Sequence, residues 1–304
     1  MFRLSTVIID RHGGIRKPEA TMQQSYEIRP LTRGEIDTAV AWAAREGWNP
    51  GPQDAACFAA QDPSGFWGGF LAGEMIACIS VVTYGEAFAF LGFYIVDSAH
   101  RGQGYGYALW QRALEHAGQR TVGLDGVVDQ QDNYRRSGFD LAWRNIRFGG
   151  VPKAALKVSD AYTLTWLEGL TDDVAALDAR VFPAARPDFW QQWLCAPGHV
   201  SIAAYDEAGI CAFGTLRRCQ TGAKIAPLVA TSRAAALAVL AGLLRDWPAD
   251  QEIFLDVPDP NTVAVDLARD LGLQPVFETA RMYRGRKPEV AQDLIYGVTS
   301  FELG

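Results

Sequence analysis

Apolar positions along the chain recur at two spacings, and each switch between them marks an element. Tyr26–Pro30, Phe66–Leu71, Glu74–Tyr84 and Phe88–Val96 are β-branched and aromatic runs that read as strands. Ala72-Gly73 joins the second and third as a hairpin. Between the first two strands, Thr32 with Glu35 three residues on forms a capping-box pattern for a helix to about residue 46. Gly47-Trp-Asn-Pro-Gly51 is turn chemistry, and 53–60 reads as a short helix. After residue 106 the period lengthens: Leu109, Ala113 and Ala117, with Trp110 and Leu114, share one helical face. A strand at 121–128, a short helix at 133–137 closed by Gly138, and a strand at 141–148 follow. Gly149-Gly150-Val-Pro152 marks a boundary.

The second half repeats this order. A helix near 171–181 and a proline-rich aromatic stretch, 182–193, precede strands at 199–205, 209–217 and 225–229. A helix at 232–246, a strand at 252–257, a helix at 261–271 and a strand at 275–283 come next. With a constant offset of 134, Asp125 falls on Asp259, Gly138 on Gly272, Phe139 on Leu273 and Arg147 on Arg281. The reading is a duplicated α/β domain with a mixed sheet, in units 25–150 and 151–304. A last strand, 294–301, has no counterpart in the first half.

Composition narrows the partners. The chain has 304 residues, 49% of them hydrophobic, enough for two cores. A net charge of −7 argues against nucleic acid or an anionic membrane as main partner. The five cysteines and four histidines are scattered without metal or redox spacing, so no metal and a cytoplasmic, reduced protein are expected. Residues 1–24 are expected to be an upstream extension.

The chemistry concentrates at Arg101-Gly-Gln-Gly-Tyr-Gly106, between a strand and a helix. Gly102, Gly104 and Gly106 let backbone approach a ligand where a side chain would clash, and a helix N-terminus favours negative charge. The loop therefore reads as a phosphate cradle. Two helices and three strands come before this strand–loop–helix unit, which is wrong for a dinucleotide fingerprint, and the Gly-Lys-Ser/Thr of a Walker loop is absent.

Arg101-x-x-Gly104-x-Gly106 after a strand, followed by helix, strand and Tyr134-Arg-Arg-Ser-Gly-Phe139, resembles the GNAT superfamily of acyl-CoA-dependent N-acetyltransferases. The whole chain resembles tandem GNAT proteins whose divergent second half ends in a segment such as Tyr296-Gly-Val-Thr-Ser-Phe-Glu-Leu-Gly304. The resemblance implies two GNAT-like domains, each a mixed sheet flanked by helices. It implies that the loop 101–106, Gln103 and Tyr105 included, cradles the pyrophosphate of acetyl-CoA. It also implies pantetheine bonded to the backbone of Ile95 and Val96, in a gap where two strands splay apart.

The implied reaction is direct attack of an amine on a thioester. The backbone N–H of Val96 is a candidate oxyanion donor, and Tyr134 a candidate acid for the departing thiolate. Glu86 and Asp125 are both candidate bases, each needing a water relay or a raised pKa. Trp48 and Asn49 are candidate acceptor-site residues. Typical members carry Asn-x-x-Ala-x-x-Leu before the tyrosine; Val127, Gln130 and Asn133 stand there instead, so Asn133 becomes the candidate pantetheine contact. In the second half, Ala235, Ala238, Leu240 and Ala268 occupy the places of Arg101, Gly104, Gly106 and Tyr134, so that copy is expected to wall the acceptor site without binding the cofactor. A small primary amine is the leading acceptor. A protein N-terminus or lysine, and a CoA-binding sensor without turnover, are the alternatives.

Overall fold

In the computed structural model, residues 25–153, 156 and 160–304 are described; the expected extension, 1–24, lies outside them. The first half runs β1 (Tyr26–Pro30), α1 (Arg33–Arg45), α2 (Asp54–Gln61), β2 (Phe66–Leu71), β3 (Glu74–Tyr84), β4 (Phe88–Val96), α3 (Tyr105–Ala117), β5 (Thr121–Val127), α4 (Gln131–Arg136) and β6 (Asp140–Gly150). The second runs β7 (Thr163–Trp166), α5 (Asp172–Val181), α6 (Pro187–Leu194), β8 (His199–Asp206), β9 (Gly209–Arg218), β10 (Ala223–Ala230), α7 (Arg233–Leu243), β11 (Ile253–Pro258), α8 (Thr262–Asp270), β12 (Gln274–Arg284) and β13 (Ile295–Gly297).

Local chemistry accounts for most of these bounds. The Glu35 carboxylate accepts the Thr32 N–H at 2.7 Å and starts α1 as the capping box requires. In β4, Phe88 and Phe90 face a core with α1 and α2, while Ala89 and Leu91 face a core with α3. Both faces are covered, which is why the strand reads as a continuous apolar run. The first of these cores also takes in α6 of the second half, with Phe58 stacked on Trp193 at 6.2 Å.

The strands form one sheet in the order β1-β2-β3-β4-β5-β12-β6-β11-β10-β9-β8-β7, with β13 beside β10. The two halves have exchanged their last long strands: β12 lies against β5 of the first half, and β6 lies against β11 of the second. Where the two meet, Arg147 faces Phe277, Arg281 faces Trp143, and Asn145 faces Thr279 midway. The offset of 134 carries Arg147 to Arg281 and Trp143 to Phe277, so it exchanges the two outer pairs, and a local two-fold axis passes between Asn145 and Thr279.

Two buried ion pairs mirror each other about that axis. Arg281 sits opposite Asp125 in the β12–β5 ladder and grips both carboxylate oxygens, at 2.8 and 2.7 Å. Arg147 sits opposite Asp256 in the β6–β11 ladder and does the same, at 2.6 and 2.7 Å. Each guanidinium also lies over an aromatic ring, Arg281 over Trp143 at 5.6 Å and Arg147 over Phe277 at 5.7 Å.

The strand exchange predicts a large cost for breaking either pair. Asp125→Ala leaves the buried Arg281 guanidinium without its counter-charge, and removing one member of such a pair costs about 3–5 kcal/mol. Urea denaturation should show a lowered midpoint of that size. A midpoint within 1 kcal/mol of the parent, taken as roughly the size of an exposed pair, would show the pair to be dispensable.

Candidate active site

The site begins where β4 leaves β5. The two strands pair in parallel from Phe88↔Thr121 to Leu91↔Leu124, and no further. At that point β4 is bulged: its register against β3 shifts, and Phe93 adopts φ 49°. Beyond it, residues 92–96 and 125–127 diverge around a cavity of about 600 Å³.

One backbone donor faces this gap. The Asp97 N–H bonds the Ile76 carbonyl at 2.8 Å, and the register sets Val96 opposite Ala77 and Ile95 opposite Cys78. Antiparallel ladders alternate bonded and non-bonded pairs, so Val96 turns its N–H and C=O away from β3, toward the gap. The Val96 carbonyl duly accepts Arg101 Nε at 2.8 Å. Ile95 lies in the cavity wall, but the same alternation turns its backbone groups toward β3.

The glycine loop lies at the outer end of the gap. Gly102 and Gly104 adopt φ +76° and +89°, and nothing lies within 4 Å of where a Cβ would stand on either. Gly104 is the N-cap of α3, whose first N–H groups have no partner inside the helix. At Gly106 the reason for glycine differs: a Cβ would come within 2.7 Å of the Tyr94 hydroxyl and of Val96. Arg101 is anchored across the mouth by Glu46 at 2.7 Å. Loop, helix start and open space together fit an extended anionic ligand.

Tyr134 enters the cavity wall from α4, stacked on Trp110 at 5.7 Å. One edge of its ring lies against Gly126, where a Cβ would sit 2.2 Å from Cε2. Burial pushes the phenol's pKa up, with Tyr94 adding to the effect, so the hydroxyl stays protonated and able to donate.

Other expected residues are placed differently. Glu86 does not reach the site. It sits in the β3–β4 turn, at the opposite end of β4 from Val96, almost fully exposed and 3.7 Å from Arg120. Asp125 lines the cavity, but Arg281 holds both its oxygens and Asn145 donates to it at 2.8 Å. Burial raises its pKa while Arg281 opposes the rise. Trp48 lines the cavity; Asn49 does not, because its side chain ties the 48–50 turn to Thr221 through bonds of 2.8 and 2.9 Å. Tyr105 turns away to stack on Tyr26 at 4.8 Å, and Gln103 bonds the Ala99 carbonyl. Asn133 faces an adjoining open groove between α3 and α4, which shares Tyr94, Tyr107, Gln130 and Tyr134 with the cavity.

The inner end of the cavity belongs to the second half. Phe277 and Thr279 of β12, with Phe301 and Glu302 beyond β13, complete the wall. The Glu302 carbonyl lies where a Cβ on Gly92 would be, at 2.3 Å, so the segment packs against β4 at the point of divergence. The Tyr84 hydroxyl bonds the Leu303 carbonyl and holds the segment there. Phe277 and Thr279 carry no motif in sequence, and Phe301 and Glu302 lie in the closing segment 296–304 without being singled out there.

The corresponding gap in the second half is filled. β10 pairs with β11 only at Ala223↔Ile253 and Lys224↔Phe254, then with β13 at Leu228↔Gly297 and Val229↔Ile295. Val298 N–H bonds the Asp256 carbonyl on the other side. Asn261 fastens this insert, donating to the carbonyls of Asp293 and Ile295 at 2.9 and 3.1 Å. The start of α7 is capped by its own Ser232, which accepts the Ala235 N–H. Among the described residues no cluster suited to a metal ion occurs, and no helix is long and apolar enough to cross a membrane.

A splayed parallel strand pair, built twice and kept open once, with a glycine turn at the open mouth and a half-buried tyrosine in its wall, defines an acyltransferase architecture. The acetyltransferase (GNAT) family matches residues 34–139, and an acetyltransferase (GNAT) domain matches residues 174–297. The chain belongs to the GNAT acyltransferases, as a tandem of two such domains. It is 28% identical over 281 residues, 92% of this chain and 95% of the relative, to holothin acyltransferase of Pseudoalteromonas sp. (strain SANK 73390). Its fold is similar to that of a Pyrococcus horikoshii protein described as an acetyltransferase, with TM-score 0.78, 23% identity and coverage of 94% and 98% of the two chains. A tandem GNAT protein from the clavulanic acid biosynthesis pathway matches with TM-score 0.58 and 18% identity, over 86% of this chain and 100% of that one.

The contact between Tyr134 and Gly126 can be tested directly. Gly126→Ala should displace the ring and lower kcat about tenfold or more, with acyl-CoA affinity nearly unchanged, since the loop 101–106 is untouched. An unchanged kcat would show that the ring position does not matter to turnover.

Proposed function

We propose that this chain is an acetyl-CoA-dependent N-acetyltransferase acting on a small primary amine, with one cofactor site per chain in the first half. The observation that carries the reading is the pair of gaps: one open beneath a glycine loop, the other filled by β13. The family's members typically take their acyl group from an acyl-CoA; when bound, that molecule supplies the activated acyl carbon. Gly102 to Gly106 and Arg101 would hold its pyrophosphate at the mouth. A chain anchored there and running inward between β4 and β5 has its far end near Gly92 and Glu302.

The protein's own groups then have separable tasks. Val96 N–H, aimed into the gap, donates to the acyl oxygen where negative charge grows. Tyr134 gives its proton to the departing sulfur. Asp125 is engaged by Arg281 and Asn145, and Glu86 lies elsewhere, which supports loss of the acceptor's proton through cavity water. Walls from both halves close around the inner end, which favours a compact acceptor over an extended polypeptide. The relative's name, which gives holothin as what it acylates, points the same way.

Acetyl-CoA consumption with a panel of small amines tests the reading, and calorimetric titration with CoA should give one site per chain. Absence of turnover with every amine, or two sites, would overturn it. Tyr134→Phe should lower kcat by roughly 10²-fold, the lower end for a general acid because a thiol of pKa about 8.5 already leaves well. Acetyl-CoA affinity should hardly change; a parental kcat would reduce Tyr134 to packing.

A further inference from the structure

Charges in the cavity wall are matched, with one exception. Glu46 pairs with Arg101, Asp125 with Arg281, and Arg147 with Asp256. Glu302 is buried, lines the cavity and forms no ion pair within 4 Å among the described residues. Its Oε2 accepts from the Ser300 hydroxyl at 2.5 Å, and its Oε1 has no hydrogen-bond partner there.

Three buried cations, Arg147, Arg217 and Lys224, act on Glu302 through space, none within ion-pair distance. Arg147 spends its donors on both oxygens of Asp256 and on the Trp48 carbonyl, with its faces against Phe277 and Phe301. Lys224 points to the same Trp48 carbonyl, at 3.0 Å. A buried carboxylate is costly unless a cation and hydrogen bonds meet it. Here Glu302 sits in the wall of a cavity, at the end where β4 and β5 diverge. The cavity wall also presents apolar groups: Trp48, Leu91, Leu124, Phe277 and Phe301.

We propose that Glu302, carried into the first half by the chain of the second, receives the ammonium of the acceptor, and that the acceptor is a primary amine on an apolar body about the size of one ring. The assignment rests on the acetyltransferase reading for the word acceptor, but the recognition itself is independent of turnover. Ser300 and the Glu302 backbone fix the carboxylate: the Glu302 N–H bonds Ser300 Oγ at 2.9 Å, and the packing at Gly92 leaves the segment little room to shift. Glu302 is thus a specificity residue that the catalytic half does not itself encode.

The test compares 2-phenylethylamine with 2-phenylethanol, its uncharged isostere, on the full chain with CoA bound. Calorimetry should show the amine bound at least about tenfold more tightly, the effect of one charge-assisted hydrogen bond. Glu302→Gln should erase that preference and raise KM for the amine about tenfold, leaving CoA affinity unchanged. Equal binding of amine and alcohol by the parent protein, a measurement that needs no variant to fold, would overturn the proposal. A Gln variant that keeps the preference would overturn it too. Retained preference for the amine in the parent, lost in the variant, with no acetyl transfer to any amine, would uphold the carboxylate's role and sink the acetyltransferase reading instead.

Discussion

The crossing of β6 and β12 sets the geometry of everything else. Two guanidinium–carboxylate pairs, Arg281 with Asp125 and Arg147 with Asp256, stand directly across neighbouring ladders with their side chains almost wholly buried. A buried pair of this kind need not add net stability over a well-packed apolar pair, but it penalises every register in which the charges miss each other. A shift of β12 by one residue would send Arg281 to the opposite face and leave Asp125 alone in the interior. The pairs therefore fix how the halves join, and through that join they set Phe277 and Thr279 in the wall of the first half's cavity.

The two copies have diverged around one piece of chain. Residues 295–304 first occupy the second half's own gap as β13 and then pass to the inner end of the first half's gap. Filling one site and shaping the other are thus a single structural event. The residues that held a ligand in an ancestral copy need not be erased for this to happen. Asn261, which with Ala264 and Leu267 has the Asn-x-x-Ala-x-x-Leu spacing that the first half lacks, grips the carbonyls of Asp293 and Ile295.

Much of this was legible in the sequence. β2, β3 and β4 begin and end where the apolar runs and the Ala72-Gly73 turn put them, because their patterns are local. The glycine loop was legible for the same reason: positive φ at Gly102 and Gly104 is a local demand. The offset of 134 even aligned Arg147 with Arg281, yet nothing in it says which strand either arginine would face. Strand exchange depends on pairing partners more than a hundred residues apart, and alternation reports a face without reporting a neighbour. Glu86 looked available because a turn at a strand end resembles a site rim; the wrong end of the strand carries it. β7 was missed as a four-residue edge strand with weak burial. Glu302 was missed, although it lies in the closing segment that carried the resemblance, because its place beside Gly92 comes from a contact over two hundred residues away.

The exchange of last strands also has a temporal side. Chains emerge from the ribosome N-terminal end first, at about 5–20 residues per second, and domains generally fold as they appear. Here the first half cannot finish on its own schedule. The flank of β5 awaits residues 274–284, and β6 must stay clear of it in the meantime. For the greater part of synthesis the nascent catalytic half has an open sheet edge beside an unneutralised Asp125, a state exposed to chaperones and to mispairing with a second nascent chain. The exchange thereby makes the two halves a single unit of folding.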